Sequence, residues 1–187
     1  MRKALFLDRD GVINKEKHYL YRIDEFEFVD GIFELCRSAV DQEFDLIVIT
    51  NQAGIAHGYY SETEFLQLTD WMKQEFIRRN LPLTDVYYCP HHPRYGGEKY
   101  CRDCQCRKPR PGMLLEAAEK YDLDLSASIL VGDKRTDIDA GRAVGIGTAA
   151  LVGTGHAVTE QDQSEADLFA ETLTKLKASL FPQKPVD

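Results

Sequence analysis

Short apolar runs alternate along this chain with longer stretches in which apolar residues return every three or four positions. The runs are KALFLD (3–8), FDLIVIT (44–50), TDVYYC (84–89), ASILVGD (127–133) and GTAALV (147–152). Each has the length and composition of a buried strand, and 147–152 reads as the last of them. The periodic stretches predict helices. Residues 31–42 place Ile32, Leu35, Cys36 and Ala39 on one face. Ser61 and Glu64 have capping-box spacing and open a long helix whose apolar face is Phe65, Leu68, Trp71, Met72 and Phe76. Pro111 introduces a helix over 112–122, another follows around 136–144, and a weaker one spans about 166–180. The tail, about 181–187, is expected to be mobile.

Strand–helix alternation with wholly apolar strands predicts an α/β fold: a Rossmann-like parallel sheet with helices on both faces. A single domain over 1–187 is expected, with no internal repeat or linker. No insertion is large enough for a separate cap domain. At 187 residues, 43% hydrophobic and 29% charged, the chain is long enough for a substantial core. The excess of 31 acidic over 23 basic residues, net −8, argues against a nucleic-acid or anionic-membrane partner. No apolar run approaches the roughly 20 residues of a membrane span. The N-terminal apolar run is too short for a signal peptide, so a cytoplasmic location is expected. Of five cysteines, four fall within 89–106 beside His91 and His92. In a reducing compartment such a cluster suggests metal before disulfides.

In sheets of this kind ligands bind beyond the carboxyl ends of the strands. Those ends read LFLDRDGVIN (5–14), TNQAG (50–54) and GDKRTD (132–137), and CRKPRPG (106–112) leads into a helix. Each has an ordinary structural explanation by itself. Asp8 and Asp10 could cap a loop, Thr50 and Asn51 could form a turn, Asp133 and Asp137 could be first-turn acids, and Lys108 could be solvated. Their conjunction at successive strand ends outweighs these explanations. Two neighbouring carboxylates require a cation or a proton to offset their repulsion, and hard oxygen ligands beside a phosphate suit Mg²⁺.

These four segments resemble the motifs of the haloacid dehalogenase (HAD) phosphohydrolases, over a span from Leu5 to about Thr154. The cysteine-rich CPHHP and CQCRKPRPGM segments are similar to the zinc-loop branch, which contains histidinol-phosphate and heptose bisphosphate phosphatases. HYLYRIDEFEFVDG (18–31) and YYCPHHP (87–93) look closer to the heptose enzymes. The resemblance implies Asp8 as nucleophile, forming an aspartyl-phosphate, and Asp10 as the acid and then the base. Mg²⁺ would be held by Asp8, the Asp10 backbone carbonyl and Asp133. Thr50 would hold phosphoryl oxygens and Lys108 would supply fixed positive charge. Lys134 would neutralise Asp8 or touch substrate, and Asp137 would orient Lys134 or the start of its helix. Substrate would be read by the loop of Glu16, Lys17, His18 and Tyr19, by Asn51, Gln52 and Ala53, and by Arg107 on a second phosphate.

Spacing alone leaves six candidates for four zinc positions, and the C-x-x-C pair Cys101/Cys104 competes. The family pattern selects Cys89, His91, Cys104 and Cys106, holding a structural Zn²⁺ in a loop over 89–108. The implied activity is removal of the 7-phosphate of heptose 1,7-bisphosphate, on the way to the lipopolysaccharide core. The implied partner is that small sugar bisphosphate, with no nucleic acid and no membrane, and a monomer is expected. The alternatives are a histidinol-phosphate phosphatase and a zinc-stabilised binding module without catalysis.

Overall fold

A computed structural model describes residues 1–182. The strands are β1 (Lys3–Leu7), β2 (Phe44–Asn51), β3 (Asp85–Cys89), β4 (Ile129–Gly132), β5 (Thr148–Val152) and β6 (Leu168–Ala170). All pairings are parallel and the spatial order is β3-β2-β1-β4-β5-β6. The expected sheet therefore forms, with one more strand than the apolar runs indicated. The helices are α1 (Ile32–Val40), α2 (Ala53–His57), α3 (Glu62–Ile77), α4 (Gly97–Tyr100), α5 (Gly112–Tyr121), α6 (Arg135–Ala143), α7 (Glu160–Glu165) and α8 (Leu173–Leu180).

The period-two geometry of the strands divides the core between two faces. Leu5 and Leu7 of β1 join Leu46, Val48 and Val131 under α1, α3 and α8. Ala4 and Phe6 join Ile47, Ile49 and Leu130 under α5 and α6. Each large side chain so buried contributes about 1.5–3 kcal/mol. Both faces are apolar, which is why the strand segments read as continuous runs.

The capping box at Ser61 is formed. Its hydroxyl accepts from Glu64 N–H, and the Glu64 carboxylate accepts from Ser61 N–H. Two expectations are corrected. The segment read as one weak helix over 166–180 is β6 followed by α8, so 147–152 is not the last strand. Thr172 caps α8 by accepting from Lys175 N–H. A three-residue edge strand is too short to interrupt helical periodicity visibly. The expected mobile tail is corrected at its first residue, because Phe181 packs in the core against Phe44. Its remainder, 183–187, lies outside the described residues.

Candidate active site

The order of the strands reverses at β1, whose neighbours β2 and β4 lead away in opposite directions. Such a switch point opens a crevice at the carboxyl ends of the strands. Asp8 follows the last residue of β1 and is tied to β4 by Asp8 N–H donating to the Val131 carbonyl at 3.0 Å. Asp133 follows β4, and Asp137 lies in the first turn of α6. Oxygens of Asp8, Asp133 and Asp137 fall within 4.8 Å of one another, and all three residues are buried. Lys108 enters this acidic group from the cysteine loop, itself only 4% exposed. Its Nζ lies 3.1 Å from Asp8 Oδ1 and 2.6 Å from Asp137 Oδ1, and donates to the Ile49 carbonyl at 2.9 Å.

The electrostatics follow from burial and charge crowding. Desolvation, then the Asp137, Asp133 and Asp10 charges, push the Asp8 carboxyl up to about 7 against the opposing pull of Lys108. Burial and Asp137 also raise Asp133. Burial would deprotonate Lys108, but Asp137 and Asp8 outweigh it and hold its pKa above the ordinary lysine value. Asp10 differs. Burial opposes its charge, yet the Arg9 guanidinium and the amides of Asn14 and Gln52 hold it below the usual carboxylate range. Arg9 donates through Nε and Nη2 to Asp10, and Asn14 Nδ2 and Gln52 Nε2 each donate at 3.0 Å.

A pocket of about 370 Å³ opens above these groups. Asp8, Asp10, Glu16, His18, Tyr19, Asn51, Gln52, Ala53, Arg107, Lys108 and Lys134 all line it, as the sequence led us to expect. Three expected residues are placed elsewhere. Lys17 is turned away, pairing with Glu27 and donating to the Glu25 carbonyl at 2.8 Å. It therefore does not join the substrate loop's polar contacts. Thr50 is fully buried behind the wall, accepting from Gln52 Nε2 at 2.9 Å. Asp133 lines an adjoining hollow instead.

The Asn51 amide is already committed at both ends. It donates to the Lys108 carbonyl at 3.1 Å and accepts from Lys108 N–H at 3.0 Å. It thus anchors the backbone that presents Lys108. Asp137 caps the start of α6 by accepting from Lys134 N–H at 3.1 Å, as expected, but its ion pair with Lys108 was not foreseen.

Arg9, Asn14, Tyr60, Thr136 and His156 were missed altogether. Arg9 was visible as a cation between two acids, and its 1% exposure explains the consequence: a buried charge must be paired. Tyr60, whose hydroxyl donates to Gln52 Oε1, carried no local signal.

The sulfur and nitrogen ligands of Cys89, His91, Cys104 and Cys106 form a second group within 4.8 Å. Cys106 Sγ lies 3.4 Å from both His91 Nδ1 and Cys104 Sγ, and Cys89 Sγ lies 3.5 Å from Cys104 Sγ. A tetrahedral Zn²⁺ with bonds of about 2.3 Å to sulfur requires sulfurs at about this separation. Contact with Cys89, foremost, pulls the Cys106 thiol down to about 5, while contact with Cys106 and burial push Cys89 up. Cys101 is exposed, with its sulfur against the Pro93 carbonyl. It stands outside the group, and so does His92. The geometry thus groups Cys104, and not Cys101, with Cys89, His91 and Cys106.

The carboxylate group has the chemistry of a site for a hard cation. Asp133 Oδ1 is buried without any hydrogen-bond partner. An oxygen so placed, beside the crowded Asp8 and Asp137, fits a Mg²⁺ ligand. A parallel sheet with an aspartate pair following its first strand, a buried lysine–aspartate pair and a further carboxylate just after the fourth strand is the arrangement of a HAD-like phosphohydrolase.

A family model for HAD-hydrolase-like proteins matches residues 105–176. The chain is 52% identical over 180 residues to a D-glycero-α-D-manno-heptose-1,7-bisphosphate 7-phosphatase of Burkholderia mallei, covering 96% of this chain and 92% of that one. It is 45% identical over 176 residues to a D-glycero-β-D-manno-heptose-1,7-bisphosphate 7-phosphatase of Pasteurella multocida, covering 94% and 95%. A crystal structure of D,D-heptose 1,7-bisphosphate phosphatase from B. bronchiseptica, complexed with magnesium and phosphate, superposes with a TM-score of 0.77 at 27% identity, covering 95% and 97%. The chain belongs to the heptose-1,7-bisphosphate 7-phosphatase family, and it is a phosphatase.

Proposed function

We propose that this protein removes the 7-phosphate of D-glycero-D-manno-heptose 1,7-bisphosphate, with Mg²⁺ at Asp8, Asp133 and the Asp10 carbonyl and Zn²⁺ at Cys89, His91, Cys104 and Cys106. The observation that carries this is Asp8 itself. It is buried at the pocket floor with Lys108 on one side and the unpartnered oxygen of Asp133 on the other. Bound there, Mg²⁺ would supply positive charge that offsets repulsion between a carboxylate and an incoming phosphate.

Asp8 attacks phosphorus, forming the aspartyl-phosphate as the bond to the sugar oxygen breaks. Asp10 gives its proton to that departing oxygen. Its pKa is low in the free site, but a phosphate dianion nearby opposes its charge and raises it. Left as a carboxylate, Asp10 then takes a proton from the water that hydrolyses the acyl phosphate. Lys108 holds positive charge where the transferred group spreads its negative charge. Arg107 and Lys134, on the rim, answer the second phosphate, and an Arg guanidinium suits bidentate contact there. Thr50 supports Gln52 from behind. Bound by Cys89, His91, Cys104 and Cys106, Zn²⁺ would tie down Cys106 immediately before Arg107 and Lys108. Thiolate zinc ligation suits the cytoplasm. No helix among the described residues is long and apolar enough to cross a membrane.

The test is phosphate release from the α- and β-1,7-bisphosphates, the 7-phosphate and histidinol phosphate, each with Mg²⁺ or with EDTA. Both anomers are needed because the relatives' names divide between them. Mg²⁺-dependent release from a bisphosphate, faster than from histidinol phosphate, is expected. A blank bisphosphate assay, or preference for histidinol phosphate, defeats the proposal.

A further inference from the structure

The segment after β5 carries a histidine onto the carboxylate that follows β4. Its sequence is Gly153-Thr154-Gly155-His156. Thr154 Oγ1 donates to the Gly11 carbonyl at 2.6 Å, pinning this segment to the loop after β1. Two backbones then meet the Asp133 carboxylate with no room for further side chains. A Cβ at Gly155 would lie 2.1 Å from Asp133 Oδ2 and 2.6 Å from Gly11 Cα. One at Gly11, where φ is +86°, would lie 2.3 Å from the same oxygen. The two glycines therefore permit the approach that brings His156 to Asp133.

His156 meets that oxygen twice. Its backbone N–H donates to Asp133 Oδ2 at 3.1 Å, and its ring Nδ1 lies 2.6 Å from the same atom. The other oxygen, Oδ1, is buried and has no partner. One oxygen is held from two directions and its twin is left free. That pattern fixes the carboxylate torsion and leaves Oδ1 as the uncommitted oxygen of a residue grouped with Asp8 and Asp137.

We infer that His156 is a positioning residue: its ring holds Asp133 Oδ2 so that Oδ1 is presented to the Mg²⁺ site. The inference rests on the proposed Mg²⁺-dependent phosphatase. It is independent of the sugar, and His156 reaches the metal only through Asp133. Groups that orient a metal ligand in this way commonly govern affinity by 10–100-fold.

The experiment uses the full chain, zinc-loaded and freed of Mg²⁺, with Mg²⁺ titrated calorimetrically. His156→Ala is expected to weaken Mg²⁺ binding by about 10–100-fold, leaving zinc content and Tm unchanged. His156→Asn, which keeps a donor near the position of Nδ1, is expected to restore most of the affinity. In the alanine variant, saturating Mg²⁺ should recover kcat, so the defect appears in the Mg²⁺ requirement. Unchanged Mg²⁺ affinity in His156→Ala overturns the inference. Equal losses in Ala and Asn also overturn it, since ring packing and not the hydrogen bond would then matter. Unmodified protein that binds Mg²⁺ but releases no phosphate would defeat the function proposed above and leave this result standing. Unmodified protein that binds no Mg²⁺ would defeat both.

Discussion

The carboxylate group and the cysteine group lie on either side of Lys108, and they are held in opposite ways. Asp8 and Asp133 follow β1 and β4, adjacent strands in register at Leu7 and Val131. Asp137 is buried in the first turn of α6. The sheet sets these positions whatever occupies the crevice. Of the cysteine group, only Cys89 stands on a strand. His91, Cys104 and Cys106 lie on the following loop, in which the one helix among the described residues is the four-residue α4. Here the ligands must hold the loop. The fold brings the hard-oxygen ligands together, whereas the soft ligands bring their own segment together. Loss of Mg²⁺ should therefore be a reversible loss of function, and loss of Zn²⁺ a loss of structure.

The strongest way to break this contrast is at Asp8. Asp8→Asn is expected to abolish measurable turnover while keeping zinc content and a near-native Tm. Residual phosphate release near the unmodified rate would end the covalent mechanism. EDTA brief enough to spare zinc should likewise silence the enzyme, with full return on adding Mg²⁺.

Asp10→Asn should lower kcat by about 10²–10⁴-fold, the usual range for acid–base catalysis. Mg²⁺ affinity, read by calorimetry, should fall far less, since the Asp10 side chain is bonded to Arg9, Asn14 and Gln52.

Cys106→Ala sharpens the other half. Zinc should drop to background by elemental analysis. Stability should fall by at least ~2 kcal/mol, hence about 4–8 °C in Tm for a chain of this size. Activity should fall too, because Arg107 and Lys108 lose their anchor. Cys101→Ala should keep zinc, Tm and activity. A zinc-depleted protein with unchanged Tm and rate would show that the loop holds itself.

The pH profile measures how the cation and the proton compete for Asp8. Its pKa of about 7 arises without metal, and the nucleophile must be ionised. Activity should therefore fall as pH drops through that region at limiting Mg²⁺. Saturating Mg²⁺ favours the carboxylate and should move the acid limb of kcat/KM down by ~1 unit or more. An acid limb indifferent to Mg²⁺ would mean the two do not share Asp8.

The smallest expected effect is at Lys17. Since it pairs with Glu27 away from the pocket, Lys17→Ala should change kcat/KM less than twofold, against a much larger loss for Arg107→Ala on the bisphosphate. A Lys17 loss matching that of Arg107 would restore it to the substrate loop.

Much of this was legible in the chain. Strands buried on both faces announce themselves as apolar runs, and side chains at their ends are projected by the strand itself. Asp8, Thr50 and Asp133 could thus be located, and Ser61 with Glu64 marked the start of α3. Cys89, His91, Cys104 and Cys106 could be named as candidates because ligand chemistry is a property of residue type.

Tertiary structure decided what depends on contacts distant in sequence. Asp137 pairs with Lys108 across 29 positions, Gln52 reaches Asp10 across 42 and His156 reaches Asp133 across 23. Cys104 rather than Cys101 faces Cys89, because the 3.5 Å between sulfurs is set by how the loop closes and not by C-x-x-C spacing. Lys17 and Thr50 left the pocket for a similar reason: a side chain takes the partner its backbone aims it at. Residue type and periodicity determined which groups could react. Only the packing of distant segments determined which ones face each other, since a hydrogen bond is made over about 3 Å of space, however far apart its partners lie along the chain.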